Sequence, residues 1–433
     1  MVALVVVAGG SAVAVDRLRP SCGDAVTSLP ASESSSPFLG AADRREQPDR
    51  DRDTLVRTLA ADPAPVGEVL GAVGYHYEQW AQLSAYAQGV GVRTRDNPDF
   101  TMLDDRTLRP RWSVQVDSKQ STYDASERRY VVATLPSGAP PDLVALDAST
   151  GERRWCATLG DDPVTGSDAF ATQVLADGSV VVLTPGPSGQ ERITRLDGRA
   201  GKVVWSRVLD ADAGDFLGSA GSHGLLVGGR AADELLDDAS LRERPDGNAV
   251  VMLDDRDGST TWTRPFPGGE DVHVVGIGAD GSTYLQARKA GELSGRLVAL
   301  DPDGTPVWSV VPARGTAYDV TLRDDRLLVR VQAGFAAYAA RNGRRLWTRT
   351  IPQRGQYFPY GFQLDAVPSL DADHLLLGTT DALRTLDLRT GAITSAALPT
   401  DGISTTFWPY AVVVTDRLIG VATNTGAVVV RRE

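Results

Sequence analysis

The chain is predicted to be all-β, a β-propeller of four-stranded antiparallel sheets, with seven sheets as the preferred count and eight as the alternative. Three observations predict this. A phrase of apolar strand, Asp, turn, Gly and Trp recurs, as in LVALDASTGERRW (143–155), ITRLDGRAGKVVW (193–205) and VVMLDDRDGSTTW (250–262). It returns in LVALDPDGTPVW, FAAYAARNGRRLW and LRTLDLRTGAITS, where Ser395 stands in place of tryptophan, and in an earlier degraded copy, FTMLDDRTLRPRW. The phrases end at 112, 155, 205, 262, 308, 347 and 395, spacings of 39 to 57 residues, which suit one repeated sheet with variable loops. Finally, a pair of apolar segments precedes each phrase from Leu143 onward, as in AFATQVLADGSVVVLT before Ile193.

Each part of the phrase has a physical task. The apolar residues ending in Leu form a strand, Asp accepts hydrogen bonds from the turn backbone, and Gly supplies the positive φ of a tight hairpin. Tryptophan, four residues after the glycine in most copies, opens the returning strand. Six of the eight tryptophans hold this place, Trp112, Trp155, Trp205, Trp262, Trp308 and Trp347, where a wide ring can fill the wedge between radial sheets. One strand pair cannot bury such a ring, whereas neighbouring copies can.

In chain order, residues 1–15 (MVALVVVAGGSAVAV) are uncharged and apolar. As a helix they would span about 22 Å, short of a bilayer core, and Arg17 and Arg19 follow rather than precede them, so the segment reads as a truncated signal or membrane anchor. Residues 16–53, with SLPASESSSP and ADRREQPDRDRD, have the composition of a disordered tether. Residues 54–99 read as a short helical capping segment, because Val69, Leu70, Val73, Tyr77, Trp80, Leu83 and Tyr86 recur at spacings of three or four. Residues 100–433 make the propeller. In the seven-sheet count the C-terminal TFWPYAVVVTDRLIGVATNTGAVVVRR supplies three strands and WSVQV, beginning at Trp112, the fourth. Such a ring leaves no open sheet edge.

Composition narrows the function. With 44 basic and 56 acidic residues the formal charge is −12 and no basic stretch stands out, so a nucleic-acid partner is not expected. The two cysteines are Cys22, in the tether, and Cys156, directly after a repeat tryptophan; a disulfide between them is not expected, since it would tie a mobile tail to a sheet. Arg19 stands where a lipoprotein site before Cys22 would want a small or aliphatic residue. His76, His223, His273 and His374 are scattered singly, without metal-ligand spacing. The turns 255–258 and 301–304 resemble pieces of calcium loops, but Asp and Gly are wanted there for the hairpin itself. GSAGSHG (218–224) is not followed by a helix that would make it a phosphate cradle.

ALDASTGERRW, RLDGRAGKVVW and ALDPDGTPVW resemble the repeat of pyrroloquinoline-quinone-like (PQQ-like) β-propellers over roughly residues 100–433. The family includes quinoprotein dehydrogenases, the propeller lipoprotein of the outer-membrane β-barrel assembly machine, and bacterial kinase sensor domains. The resemblance implies a fold more than an activity. The dehydrogenases share an adjacent cysteine pair and calcium-binding Glu and Asn beside a catalytic Asp; no adjacent pair occurs here, so the lipoprotein is the nearer likeness. The expectation is a non-catalytic, monomeric scaffold without cofactor, held outside the cytoplasm by its N-terminal anchor alone and binding another envelope protein. A quinone-dependent dehydrogenase and a small-ligand sensor are the alternatives.

The candidate partner face follows from strand order. The Asp-Gly turns occupy one end of the ring, and the longer connections occupy the other. Two of these, IPQRGQYFPYGFQ and TDGISTTFWPY, carry Tyr357, Phe358, Tyr360, Phe362, Phe407, Trp408 and Tyr410. Aromatic residues are enriched in binding patches, though the same rings could instead plug the central channel.

Overall fold

The computed structural model describes residues 22–34 and, between 69 and 431, the strands and most tight turns. Residues 1–21, 35–68, 160–170, 210–216, 219–224, 228–247, 351–372, 398–408 and several short connections lie outside the described residues. The described residues form eight antiparallel sheets and no helix. The sheets are numbered 1 to 8 around the ring.

Sheet 2 sets the pattern, with Ser121–Ser126, Arg129–Thr134, Asp142–Asp147 and Arg153–Thr158 running from inner to outer strand. The third and fourth strands are the two halves of the repeated phrase. Sheets 3, 4, 5 and 6 repeat this order, ending on the outer strands Val203–Leu209, Thr260–Phe266, Pro306–Val310 and Arg345–Thr350. Sheet 7 shows three strands, His374–Gly378, Ala382–Asp387 and Ile393–Ala397.

The ends of the chain meet in sheet 8. Pro409–Val414, Leu418–Thr423 and Gly426–Arg431 are joined by Val69–Gly74, paired from Val69↔Val430 to Gly74↔Gly426. The closing strand is therefore Val69–Gly74 and not the strand at Trp112. Pro110–Val116 instead completes sheet 1, with Ala81–Tyr86, Gly89–Thr94 and Phe100–Asp104 inside it. In place of the helix expected within residues 54–99, the described residues there form strands of two different sheets. Its three-and-four spacing ran across a sheet boundary, and a helix there would hold Gly71 and Gly74 in its interior at roughly 1 kcal/mol each. As strands, these residues pair an edge that would otherwise stay open.

The core lies between sheets. Leu143, Ala145 and Trp155 of sheet 2 pack on Val180, Val182 and Leu196 of sheet 3. Val250 and Met252 of sheet 4 meet Val272, Leu285 and Val298 of sheet 5. Tyr284 and Leu297 of sheet 5 meet Val320, Leu327 and Tyr338 of sheet 6. Clusters of the same kind join sheets 1 and 2, 3 and 4, 6 and 7, and 8 and 1. The inner strands of sheets 7 and 8 also touch, which closes the ring.

Candidate interaction surface

The repeated phrase builds a clasp between successive sheets. Each indole reaches forward and donates from Nε1 to a carbonyl in the next sheet's turn, an Asp-Gly turn everywhere except sheet 6, where Ala339 takes the Asp position. The six bonds run from Trp112 to Ala148 (3.1 Å), Trp155 to Gly198 (3.0 Å), Trp205 to Asp255 (3.0 Å), Trp262 to Pro302 (2.9 Å), Trp308 to Ala340 (2.9 Å) and Trp347 to Leu388 (3.0 Å). The turn glycine lies against the same ring. At Gly151, with φ +73°, an added Cβ would stand 2.6 Å from Trp112, and at Gly391, φ +70°, 2.6 Å from Trp347. Glycine is thus required twice over, by the left-handed backbone and by the ring above it.

A bulge aims the ring. In sheet 2, Leu146 pairs with Arg153 but Ala145 pairs with Trp155, which leaves Arg154 as the extra residue. The same shift sits just before the tryptophan in sheets 1, 3, 4, 5 and 6. An inserted residue re-aims the side chains beyond it. Sheet 7 has neither feature: Leu386, Thr385 and Arg384 pair regularly with Ile393, Thr394 and Ser395.

The aspartates stiffen the turns. Asp147 Oδ1 accepts from the amides of Ser149 (2.9 Å) and Thr150 (3.1 Å), and its Oδ2 from Arg154 (2.7 Å). Burial pulls the Asp147 carboxyl upward, but the hydrogen bonds from Ser149 and Arg154 outweigh it and hold the group well below the usual carboxylate range. The amides of Ala200 and Arg199 lower Asp197 likewise. In the calcium-like turns, Asp254 accepts from Arg256, Asp257 from Ser259, and Asp301 from Asp303 and Thr305, so these carboxylates already serve the hairpin. Arginines add links between sheets. Arg195 bonds Asp177 at 2.8 Å and the carbonyl of Asp255 in the next sheet; Arg207 donates to Gly258 O at 2.8 Å and Arg349 to Thr390 O at 3.2 Å.

Both junctions of sheet 8 depart from this scheme. Its third and fourth strands come from opposite ends of the chain, so no Asp-Gly turn joins them for an indole of sheet 7 to grip, and the sequence there has Ser395. On the other side, the sheet 1 turn carries Leu108 where the other sheets have glycine, at φ +53° and 1% exposed. Leu108 packs with Leu83, Val90, Leu103, Val413, Leu418 and Val429, a cluster shared by sheets 1 and 8. Arg417 of sheet 8 also pairs with Asp105 of sheet 1 at 3.7 Å.

The N-terminal segment is docked. Val26–Pro30 adds a fifth strand outside sheet 1, from Val26↔Val116 to Pro30↔Trp112, and Cys22 is disulfide-bonded to Cys156 of sheet 2. This corrects the expectation that the two cysteines stay apart, and it places part of the stretch read as tether on the ring. Gly23 N donates to Asp142 Oδ2 at 2.7 Å and Ser28 Oγ to the carbonyl of Gly151. Cys22, Asp142 and Cys156 are the one metal-like grouping among the described residues, and there the two sulfurs bond each other.

Of the predicted site residues, all six repeat tryptophans are placed between sheets. Tyr357, Phe358, Tyr360, Phe362, Phe407 and Trp408 lie outside the described residues. Tyr410 belongs to Pro409–Val414, the inner strand of sheet 8. The two connections bearing these aromatics lead into sheets 7 and 8, the pair whose junction lacks an indole clasp. Sequence reasoning missed Leu108, although the degraded phrase shows Leu where its sister copies have Gly. It also discounted the cysteine pair.

A family model described as outer membrane protein assembly factor BamB matches residues 58–216 and 246–432. The chain belongs to this family of PQQ-like propellers. Among solved structures it is similar to BamB from Moraxella catarrhalis, at 18% identity over 85% of this chain and 100% of that one, TM-score 0.48. It is also similar to Sqt1 of Saccharomyces cerevisiae, at 9% identity over 85% and 99%, TM-score 0.52. A third is dihydro-heme d1 dehydrogenase NirN, at 14% identity over 74% and 67%, TM-score 0.48. At 9% identity the likeness to Sqt1 is one of fold alone. No curated protein matches the chain.

Proposed function

We propose that this BamB-family propeller is a non-catalytic scaffold, tethered to the membrane outside the cytoplasm, that binds another envelope protein. Membership in the BamB family carries the reading. The disulfide joining its two cysteines supports the location, since such bonds persist in oxidising compartments. No described helix is long and apolar enough to cross a membrane, and the anchor assigned to residues 1–15 precedes the described residues. The partner face is the end of the ring opposite the Asp-Gly turns, bearing Tyr357, Phe358, Tyr360, Phe362, Phe407, Trp408 and Tyr410 on the connections that lead into sheets 7 and 8.

Crosslinking in intact cells tests this. Replacing Phe358 and Trp408 by alanine is expected to abolish partner capture while the melting temperature stays within a few degrees. A large loss of stability with capture intact would make the rings channel plugs instead. Incubation with the quinone and calcium is expected to give no bound chromophore and no dye-linked alcohol oxidation; either signal would turn the reading to a dehydrogenase.

A further inference from the structure

Resting on the anchored reading above, we infer that the Cys22–Cys156 bond is where the membrane anchor grips the propeller, shortening its leash to residues 16–21. The apolar segment ends at Val15, and among the described residues the chain begins at Cys22, held by its disulfide to Cys156. Six residues reach at most about 20 Å when extended. If Val69–Gly74 were the first point of attachment, residues 16–68 would reach about 180 Å. The disulfide and the added strand therefore shorten the covalent path from Val15 to the propeller by nearly an order of magnitude.

The attachment is built for this. Cys156 lies in the outer strand of sheet 2 opposite Val144, and Asp142, at the end of that strand pair away from the Asp-Gly turn, accepts the Gly23 amide at 2.7 Å. Arg153 reaches the Cys22 carbonyl at 3.5 Å. Beyond the bond, Val26–Pro30 lies flat along sheet 1 with Val26 buried. Tension from the anchor thus enters across sheets 1 and 2, at the junction where Phe100, Trp112 and Tyr130 also cluster with centroids 4.4 to 5.7 Å apart. The docked segment thus begins toward the end of the ring opposite the Asp-Gly turns.

The test places a site-specific protease sequence between Ala42 and Asp43 of the full chain, in its native membrane. After cleavage without reductant, the propeller is expected to stay in the membrane pellet. With reductant it is expected to move to the supernatant, leaving the 1–42 fragment behind. In Cys22→Ser, cleavage alone should release it. Release from the unsubstituted chain without reductant would overturn the inference, as would retention after reduction. Failure of the anchored reading looks different: the uncleaved protein would not pellet at all, and the 1–42 fragment would remain on the soluble propeller in a non-reducing gel.

Discussion

Six junctions of this ring are held by one device and the two flanking sheet 8 are not. Where the device is present, a bulge aims an indole at the next sheet, a carbonyl accepts its N–H and a glycine makes room for its face. Where sheet 8 is assembled from the two chain ends, the turn that would receive the indole does not exist. The junction with sheet 1 is filled by Leu108 instead. A ring closed by strand exchange thus loses the clasp on both sides of its closing sheet: toward sheet 7 the receiving hairpin is missing, and toward sheet 1 the receiving turn is continuous but carries Leu108 and meets no indole.

Substitutions on the two sides should differ in size. Trp347→Ala removes a buried ring and leaves the Leu388 carbonyl without its donor, and is expected to cost about 3 to 5 kcal/mol in urea unfolding. Gly391→Ala keeps the ring but puts a Cβ against it at positive φ, for an expected loss of about 2 to 4 kcal/mol. Leu108→Ala empties one position of the sheet 8–sheet 1 cluster and should cost about 2 to 3 kcal/mol. Leu108→Gly should cost no more than Leu108→Ala, although glycine is ordinarily the worse substitute, because it relieves the positive φ. Ser395→Trp should change stability by less than about 0.5 kcal/mol, since no glycine turn faces it. A gain comparable to the loss in Trp347→Ala would show that sheet 8 can receive a clasp after all.

Acid sharpens the same contrast. The turn aspartates Asp104, Asp147, Asp197 and Asp387 have carboxyls lowered on folding. A lowered carboxyl contributes stability that is present above its unfolded value, near 3.9, and lost as pH falls through the folded value. Unfolding midpoints should therefore drop below about pH 4, and Asp147→Asn should flatten that drop. An unchanged acid profile in the variant would remove the turn carboxylate from the account.

Much of this was legible in the sequence because the phrase encodes a local hairpin and its own long-range partner at once. Leu, Asp, Gly and Trp at fixed spacing specify strand, turn and clasp together, and six tryptophans lie where the phrase puts them. The closing strand was not legible. Val69–Gly74 has no phrase around it, and with Tyr77 and Trp80 it mimics one face of a helix, while its true partner, Gly426–Arg431, lies at the other end of the chain. The disulfide was hidden by composition: the polar run from Ser34 onward masked the docked residues before it. The aromatic face is legible from connection lengths and residue types alone, since the phrase repeats mark where 351–372 and 398–408 must link one sheet to the next.

Native-state hydrogen exchange tests the central claim most directly. Amides of Leu418–Thr423 and Gly426–Arg431 in sheet 8 should exchange through an opening of lower free energy than those of Val180–Pro185 and Glu191–Leu196 in sheet 3, which is clasped on both sides. Equal or greater protection in sheet 8 would show that the indole clasps do not govern how this ring holds together.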